Sequence, residues 1–420
     1  MRLLVTNRNF ALLWWAGLLS TMGDWALHIA LPVYIFETTG STLATGLMFA
    51  AGTVPRTLFG SVAGIFVDRL DRRRTLVVVN LLLCAGLLPL LLIPASSGLW
   101  LVYLVAFTQA CLSRFGDPAE NALLPTLVQD NLAAANALNA LNNNLGRLVG
   151  PALGGLLMGG LGLKFVVIFD AATFLAASLL IACMAAPGST APARVDKDAT
   201  EFAAGVAHVW LEWLEGWRIV KGERVVSVLF LYSAVTLVGE GVVAALFIPF
   251  VADVLRGDAL AVGWLMSAQA VRSIVGGAIV GGGVVVSAVA TRFAPARLLG
   301  WGSVGVGVLD AIIFNYPVFL PGITLGIVLF AVAGLPVSAL QTGLMTLFQT
   351  SVDDRFLGRV FGAYGTTAAL FNLLGLGAGG FLGDRLGIVL VLNTQAVAYL
   401  AGGFLVLRLL RRSVGQIKRD

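Results

Sequence analysis

The sequence predicts an all-α membrane protein with twelve transmembrane helices in two pseudo-symmetric six-helix halves. The 420 residues are 58% hydrophobic and only 12% charged, with a mean hydropathy of +0.93. Soluble domains carry roughly 25% charged residues, so this chain cannot cover a water-facing surface. Twelve apolar stretches approach or exceed the roughly 20 residues that cross a bilayer. A Gly-rich stretch and a proline of the first six stretches recur at matching positions in the last six.

Each predicted span is an apolar run between charged or turn-forming residues. The spans are expected at 10–36, 42–67, 75–95, 100–123, 137–160, 164–186, 225–252, 260–289, 296–315, 318–349, 357–382 and 387–410. The longest polar interval opens with a Pro- and Ser-containing linker, and tryptophans among basic residues then predict an amphipathic helix on the inner membrane surface. The predicted domains are an N-terminal half at 1–186, this linker at 187–224 and a C-terminal half at 225–420.

Basic residues cluster on one predicted side of the membrane. With both termini inside, the inner side holds 20 Lys and Arg residues, and the outer side holds only Lys164, Arg256 and Arg385. Short cytoplasmic loops carry such an excess of Lys and Arg. We therefore predict a multi-pass protein of the plasma (inner) membrane with both termini in the cytoplasm. The net charge of +5 then reflects topology, and no nucleic-acid partner is expected.

An internal repeat relates the two halves. The Gly-rich stretch at 150–155 in span 5 matches the stretch at 375–380 in span 11, at an offset of 225 residues. Pro32 in span 1 similarly matches Pro249 in span 7 at an offset of 217. Each half therefore carries its six spans in the same order, as expected for a fold built from structural repeats.

One acidic residue is expected inside the membrane in each half. Asp24 lies eight residues before Pro32, and Glu240 lies nine before Pro249, so the repeat makes the acids near-equivalent. An ionisable residue near the bilayer centre costs about 2.5–3.5 kcal/mol on insertion scales and therefore faces a cavity or a partner. A carboxyl group in a cavity could exchange a proton. The alternative is a structural salt bridge to a membrane arginine.

Three basic side chains in spans could act with these acids. His28 follows Asp24 by one helical turn, so it could pass a proton to Asp24 or merely pack and hold it in place. Arg147 in span 5 and Arg272 in span 8 could each pair with an acid or bind an anionic group of a ligand. Pairing is the interpretation we favour, because a buried unpaired charge is costly.

The most informative short motif lies between spans 2 and 3. Residues 64–74 read GIFVDRLDRRR, with six charges between Asp68 and Arg74. The run resembles the loop 2–3 signature of the major facilitator superfamily, Gly-x-x-x-Asp-Arg-x-Gly-Arg-Arg, and departs from it at Asp71, where glycine is usual. The resemblance extends to the whole chain through the two six-span halves, and it implies the major facilitator fold.

In that family the loop acid and arginine engage charged residues near the inner end of span 4 and latch one conformation. Here the resemblance implies a latch between the loop and the polar end of span 4; topology and folding alone are the alternative role. The residues expected in this latch are Gly64, Asp68, Arg69, Arg72, Arg73, Arg114, Asp117 and Glu120.

Span 5 resembles the antiporter signature of the same superfamily, Gly-x-x-x-Gly-Pro-x-x-Gly-Gly. The match is complete at Gly146, Gly150, Pro151, Gly154 and Gly155. Small residues four apart let helices approach closely, and proline kinks a helix. The segments 29–32, 117–119, 122–125 and 135–138 further resemble the branch of macrolide-type drug exporters and siderophore exporters. Ordinary close packing of helices is the alternative reading of the signature.

The resemblance implies a secondary transporter that exports a small hydrophobic or cationic compound in exchange for protons. An importer or facilitator of the same fold, and a non-transporting sensor or scaffold, are the alternatives. We find no nucleotide-binding, catalytic or metal-ligand pattern. We therefore expect no enzyme activity, no cofactor and no metal, with the proton gradient as energy source. The expected partners are the bilayer and a small-molecule substrate, and a monomer suffices.

Overall fold

The computed structural model describes residues 2–67, 70–92, 98–128, 131–185, 217–220, 222–281, 294–320 and 322–410, without the side chains of 56, 58–67 and 272–281. These residues form helices and short connections, and no strand is present among them. The helices are α1 (Arg2–Thr6), α2 (Arg8–Thr39), α3 (Thr42–Val67), α4 (Arg72–Leu87), α5 (Leu99–Val128), α6 (Leu132–Leu161), α7 (Leu163–Ala182), α8 (Arg224–Pro249), α9 (Ala259–Gly281), α10 (Pro295–Asn315), α11 (Ile323–Val332), α12 (Gly334–Ser351), α13 (Asp354–Leu386) and α14 (Ile388–Leu409).

The prediction of an all-α membrane protein is confirmed. Within the described ranges, eight helical stretches are long and apolar enough to cross a bilayer: Arg72–Leu92, Leu99–Val128, Leu163–Ala182, Arg224–Val254, Pro295–Val318, Ile323–Ser351, Asp354–Leu386 and Ile388–Leu409. Large apolar side chains also cover the outside of these helices; Trp100 is 66% exposed, Trp301 62% and Phe404 58%. Such a surface is unfavourable in water and is typical of contact with lipid.

Local residue chemistry sets several helix ends. The side chain of Asn7 accepts a hydrogen bond from the Phe10 amide and begins α2, which ends at Gly40 in the left-handed conformation (φ 63°). Asp71 accepts a hydrogen bond from the Arg74 amide at 2.7 Å and caps α4. The departure of the loop 2–3 motif from glycine thus places a helix-capping side chain there.

The span predicted at 318–349 is interrupted in the structure. It consists of α11 and α12, with a break at Ala333. Pro336 has no amide hydrogen and cannot donate to the carbonyl of Val332, so the helical hydrogen-bond ladder fails there. The predicted amphipathic helix of the central linker lies largely outside the described residues, since only 217–220 and 222–223 precede α8.

The first compact unit (unit 1) comprises residues 1–40, 48–196 and 257–270. Its centre is α2, which packs on α6 and α7, while α4 packs on α5 and α7. Phe10, Leu13 and Trp14 lie in its apolar core. The start of α9, although late in the sequence, belongs to this unit.

The second compact unit (unit 2) comprises residues 41–47, 197–256 and 271–420. Its principal contacts are α8 with α13 and α14, and α10 with α12 and α14. An aromatic cluster fills its core, with the rings of Phe230, Phe348 and Tyr364 meeting at 5.1–6.0 Å. The first turn and a half of α3 belongs to this unit.

Candidate functional site

The glycines of the span 5 signature hold α6 against the acid-bearing segment of α2. A Cβ atom added at Gly150 would lie 2.5 Å from the Cβ of Trp25, and one at Gly154 would lie 2.5 Å from the carbonyl oxygen of Ala26. A Cβ atom added at Gly146 would likewise come too close to the side chain of Thr21. Only glycine permits this backbone approach, so the signature fixes the position of the α2 segment that contains Asp24.

The opposite side of the same α6 segment packs on the start of α9 within unit 1. A Cβ atom at Gly155 would lie 2.5 Å from the carbonyl oxygen of Ala259. A Cβ atom at Gly263 would lie 2.5 Å from the carbonyl oxygen of Pro151. The signature residues therefore serve two helix contacts at once.

The repeated Gly-rich stretch makes the equivalent contact in unit 2. Gly375 of α13 faces the carbonyl oxygen of Val238 of α8, and Gly241 of α8 faces the carbonyl oxygen of Asn372 of α13. These contacts flank Glu240 along α8. Each Gly-rich helix thus packs on the helix that carries the predicted membrane acid of its own unit.

Asp24 has an acidic neighbour that the motif analysis did not single out. Gly23, next to Asp24 on α2, packs directly against the carboxyl group of Asp170 and the hydroxyl of Thr173 on α7. Asp170 is 0% exposed, whereas the Asp24 side chain is exposed. Asp170 could have been found from sequence, because it is an ionisable residue inside the apolar span predicted at 164–186.

The ring of Trp25 lies between two of the predicted basic residues. The guanidinium carbon of Arg147 is 5.4 Å from the Trp25 ring centroid, and the His28 ring packs edge-on against Trp25 at 5.3 Å. The ring centroids of His28 and Phe49 are also 5.4 Å apart. Pairing of Arg147 with an acid remains a prediction. Arg272 lies in α9, but its side chain is outside the described part of the structure.

Glu240 belongs to a polar cluster on α8, α10 and α14. The hydroxyl of Tyr399 donates to Oε1 of Glu240 at 2.5 Å. Nearby in the same helices, Tyr232 and Ser303 share a hydrogen bond of 2.6 Å. The glutamate is exposed, while Tyr399 is buried. Sequence reasoning found Glu240 alone, since hydrogen-bonding tyrosines carry no spacing signal.

A second buried acid lies in unit 2. Asp310 on α10 is 9% exposed, and its Oδ2 accepts a hydrogen bond of 3.0 Å from the amide of Gln395 on α14. Like Asp170, Asp310 could have been found from sequence, because it is an ionisable residue inside an apolar span, here the one predicted at 296–315.

The described part of the loop 2–3 latch joins the start of α4 to α5 and α7 through backbone carbonyls. Arg72 donates to the carbonyl oxygen of Ala122 on α5 at 2.8 Å, and Arg73 donates to that of Ile181 on α7 at 3.1 Å. The last carbonyls of a helix lack partners within the helix and carry partial negative charge, so arginines suit the end of α7.

Arg72 thus reaches span 4, where we expected a latch with charged side chains, through a backbone carbonyl. Arg114 pairs with Asp117 on its own helix at 3.2 Å. Glu120 lies one turn further along α5 and is half-buried. Gly64 is in α3, while Asp68 and Arg69 lie outside the described residues, so their latch contacts remain predictions.

A carboxylate of α13 caps the start of α3 within unit 2. Asp384 accepts hydrogen bonds from the amide of Thr42 at 2.7 Å, its hydroxyl at 2.8 Å and the hydroxyl of Ser41 at 2.9 Å. Asp384 and Arg385 follow Gly380 with the Gly-x-x-x-Asp-Arg spacing of the loop 2–3 motif. The sequence therefore contains a second copy of this part of the motif.

The Asp384→Ala variant is expected to lose about 1–2 kcal/mol of unfolding free energy, because the start of α3 loses its cap. The thermal unfolding midpoint of the full chain in detergent would fall. Asp353→Ala on the same helix is the control, since that side chain is 69% exposed and pairs only weakly with Arg355. Equal midpoints for the two variants would contradict the capping role.

These helices and sites define a multi-pass membrane transporter of the major facilitator type. The chain belongs to the transmembrane secretion effector family of that superfamily, whose model matches residues 4–418. The family and its named relatives are transporters, a class distinct from enzymes. Among the described residues, no group of three or more His, Cys, Asp or Glu side chains is placed to hold a metal ion.

Curated relatives of similar length include two named efflux proteins. The chain is 28% identical over 391 residues to the multidrug efflux pump Tap of Mycolicibacterium fortuitum, covering 90% of each chain. It is 24% identical over 386 residues to macrolide efflux protein A of Streptococcus pyogenes, covering 89% of each. The predicted resemblance to drug exporters is confirmed.

Solved structures of distant transporters share the fold. A peptide transporter POT in complex with sulfate superposes with a TM-score of 0.72 at 14% identity, covering 97% of this chain and 95% of its own. A bacterial homologue of the iron transporter ferroportin, in an inward-facing state, also gives 0.72 at 14% identity, covering 96% and 99%. At this identity the likeness concerns the fold alone.

Proposed function

We propose that the protein is a proton-coupled exporter of small hydrophobic or cationic compounds, such as macrolide-like drugs. One observation carries the proposal: the glycine signature of α6 packs directly on the segment of α2 that contains Asp24, an exposed acid beside a buried one. The efflux relatives support the direction of transport. The proton gradient supplies the energy, so the proposal needs no cofactor.

Asp24 and Glu240 are the proposed coupling residues, one in each unit. When either carboxyl group loses its proton, a negative charge appears within a membrane helix, where charge is costly without a partner. A cationic compound can provide that partner, and a returning proton can replace it. This competition links release of the compound to proton uptake, with His28 assisting at Asp24. Arg147 and Arg272 are proposed to balance the charge of the acids.

The proposed topology has twelve spans in two six-helix halves, with both termini in the cytoplasm and a monomer in the plasma (inner) membrane. The loop 2–3 arginines, which contact Ala122 of α5 and the end of α7, then lie on the cytoplasmic side. They are proposed to hold one transport state until a movement of the helices releases them. The proposed partners are the bilayer and a small-molecule substrate, without nucleic acid.

The test uses the full chain in lipid vesicles with an imposed pH gradient and a pH-sensitive dye inside. Erythromycin, as a macrolide, and tetraphenylphosphonium, as a cation, are added in turn. We expect at least one of them to trigger proton movement and to be driven uphill by the gradient. Drug movement that is independent of the gradient would instead identify a facilitator. If neither compound moves in any condition, the proposal is overturned for both drug classes.

A further inference from the structure

Glu240 on α8 has one polar partner among the described residues, and that partner is neutral. The hydroxyl of Tyr399 on α14 donates a hydrogen bond of 2.5 Å to Oε1 of the carboxyl group. The described part of the structure gives Glu240 no ion pair with a Lys, Arg or His side chain. The glutamate is exposed, and a charged group in a membrane helix faces a cavity or a partner and avoids lipid. Its carboxylate is therefore open to a cationic ligand.

Close helix packing fixes the place of Tyr399 relative to Glu240. A Cβ atom added at Gly239 would lie 3.2 Å from the Cα atom of Gln395, so α8 and α14 run close together beside the glutamate. Tyr399 follows Gln395 by one helical turn, on the same face of α14. The Tyr399 side chain is 6% exposed and lies in the apolar core of unit 2. Its ring cannot turn away without leaving that core, so the hydroxyl stays directed at Glu240.

The helix that carries Tyr399 is itself held against α10, one turn before and one turn after the tyrosine. The amide of Gln395 donates to Oδ2 of Asp310 at 3.0 Å. A Cβ atom added at Gly403 would lie 2.7 Å from the carbonyl oxygen of Gly300. A functional group is held most precisely when its support is packed and hydrogen-bonded in this way. The Tyr399 hydroxyl thus provides a fixed point for a flexible glutamate side chain.

A packing role alone does not account for a tyrosine at this position. Phenylalanine would fill the same core space without a hydroxyl group, which needs a hydrogen-bond partner when it is buried. An arginine or lysine could hold the carboxylate equally well, but its charge would cancel that of Glu240. A neutral donor holds Oε1 and keeps the negative charge available, while Oε2 stays free for a ligand. Holding the carboxylate in advance also lowers the entropy cost of binding.

We propose that Glu240 binds the positive charge of the exported compound and that Tyr399 is the positioning residue for its carboxylate. The pair makes an organic cation the substrate class of the site in unit 2. A neutral compound gains nothing from the carboxylate, so Tyr399 contributes to the preference of the site for cations. This inference rests on the proposed export, in which a returning proton replaces the cation at Glu240.

The test measures binding of labelled tetraphenylphosphonium to the purified full chain in detergent. The proteins compared are the wild type, Tyr399→Phe, Glu240→Gln and the variant with both changes. Each single change is expected to weaken binding at least about tenfold, the effect of one hydrogen bond or contact to a charged group. The double variant should bind no more weakly than Glu240→Gln alone, because Tyr399 acts through the glutamate. In vesicles, Tyr399→Phe should raise the KM for this cation and change the maximal rate little.

The Tyr316→Phe variant is the matched control in the same unit. Tyr316 is also 6% exposed, and its hydroxyl donates one hydrogen bond of 2.7 Å to the carbonyl oxygen of Gly322. It should keep the affinity of the wild type for tetraphenylphosphonium. Thermal midpoints of all variants show whether a loss of binding follows from unfolding. A general loosening of unit 2 by a lost tyrosine hydroxyl would weaken binding in Tyr316→Phe as well.

The outcomes separate this inference from the proposed function. Affinity equal to that of the wild type in Tyr399→Phe, or a double variant whose loss is the product of the two single losses, would overturn the positioning role. Full affinity in Glu240→Gln, or a wild type that does not bind tetraphenylphosphonium, would overturn the cation site. A wild type that binds this cation but moves no protons in vesicles would overturn the proton coupling and leave the binding site standing.

Discussion

The Asp24→Asn variant is expected to fold normally and to lose proton-coupled export entirely. Asn is nearly isosteric with Asp, and the Asp24 side chain is exposed, so packing changes little. The variant cannot take up or release a proton at this position. Asp170 on the adjacent helix cannot take over this exchange with water, because it is fully buried. The measurement is drug-triggered proton movement in vesicles.

The control for this prediction removes an acid that has no proposed role. Asp353 lies at the start of α13, is largely exposed and pairs with Arg355. Asp353→Asn should retain full proton movement and uphill export. Full activity in Asp24→Asn, with a thermal midpoint equal to that of the wild type, would remove Asp24 from the coupling mechanism and make it a structural residue.

The Gly154→Leu variant is expected to show the largest loss of stability. A Cβ atom there would lie 2.5 Å from the carbonyl oxygen and 2.6 Å from the Cα atom of Ala26, and backbone cannot yield as a flexible side chain can. The added side chain would therefore separate α2 from α6. Overpacking costs about 1–3 kcal/mol in typical cores and more where backbones meet. Yield of folded protein and thermal midpoint in detergent are the measurements.

Gly160 provides a control on the same helix. It lies in α6 less than two turns further on, and a Cβ atom there would meet nothing within 4 Å. Gly160→Leu should therefore leave both yield and midpoint close to those of the wild type. A loss of the same size in both variants would point to a general effect of leucine in α6. It would contradict the prediction that the close contact of α2 with α6 causes the instability of Gly154→Leu.

The sequence motifs anticipated several local structures of the site. The small residues of the span 5 signature predicted close helix packing, and α2 lies against them at Gly146, Gly150 and Gly154. The arginines after span 2 predicted contacts with span 4, and Arg72 does reach α5, although it binds a backbone carbonyl. Partners of this kind are invisible to motif reasoning, because every residue has a carbonyl oxygen.

Two buried features escaped sequence reasoning for different reasons. Asp170 has no motif around it, but its position in an apolar span is itself a signal. The cap that Asp384 forms on the start of α3 joins residues more than 340 positions apart. Its copy of the Gly-x-x-x-Asp-Arg spacing indicates that the acid has a role, yet spacing cannot identify the helix whose amides it meets.

The sequence by itself determined the class of this protein. Its apolar spans require a membrane, because so few polar residues could not cover a surface in water, and its signatures identify a major facilitator transporter. Only the tertiary structure decided which faces of the helices meet. It placed Asp170 beside Asp24 and assigned the starts of α3 and α9 to units formed mainly by the other half of the chain. Because each span is almost uniformly apolar, hydropathy does not encode which face of a helix points inward or which helix it packs against. Both depend on close packing between segments that are distant in sequence.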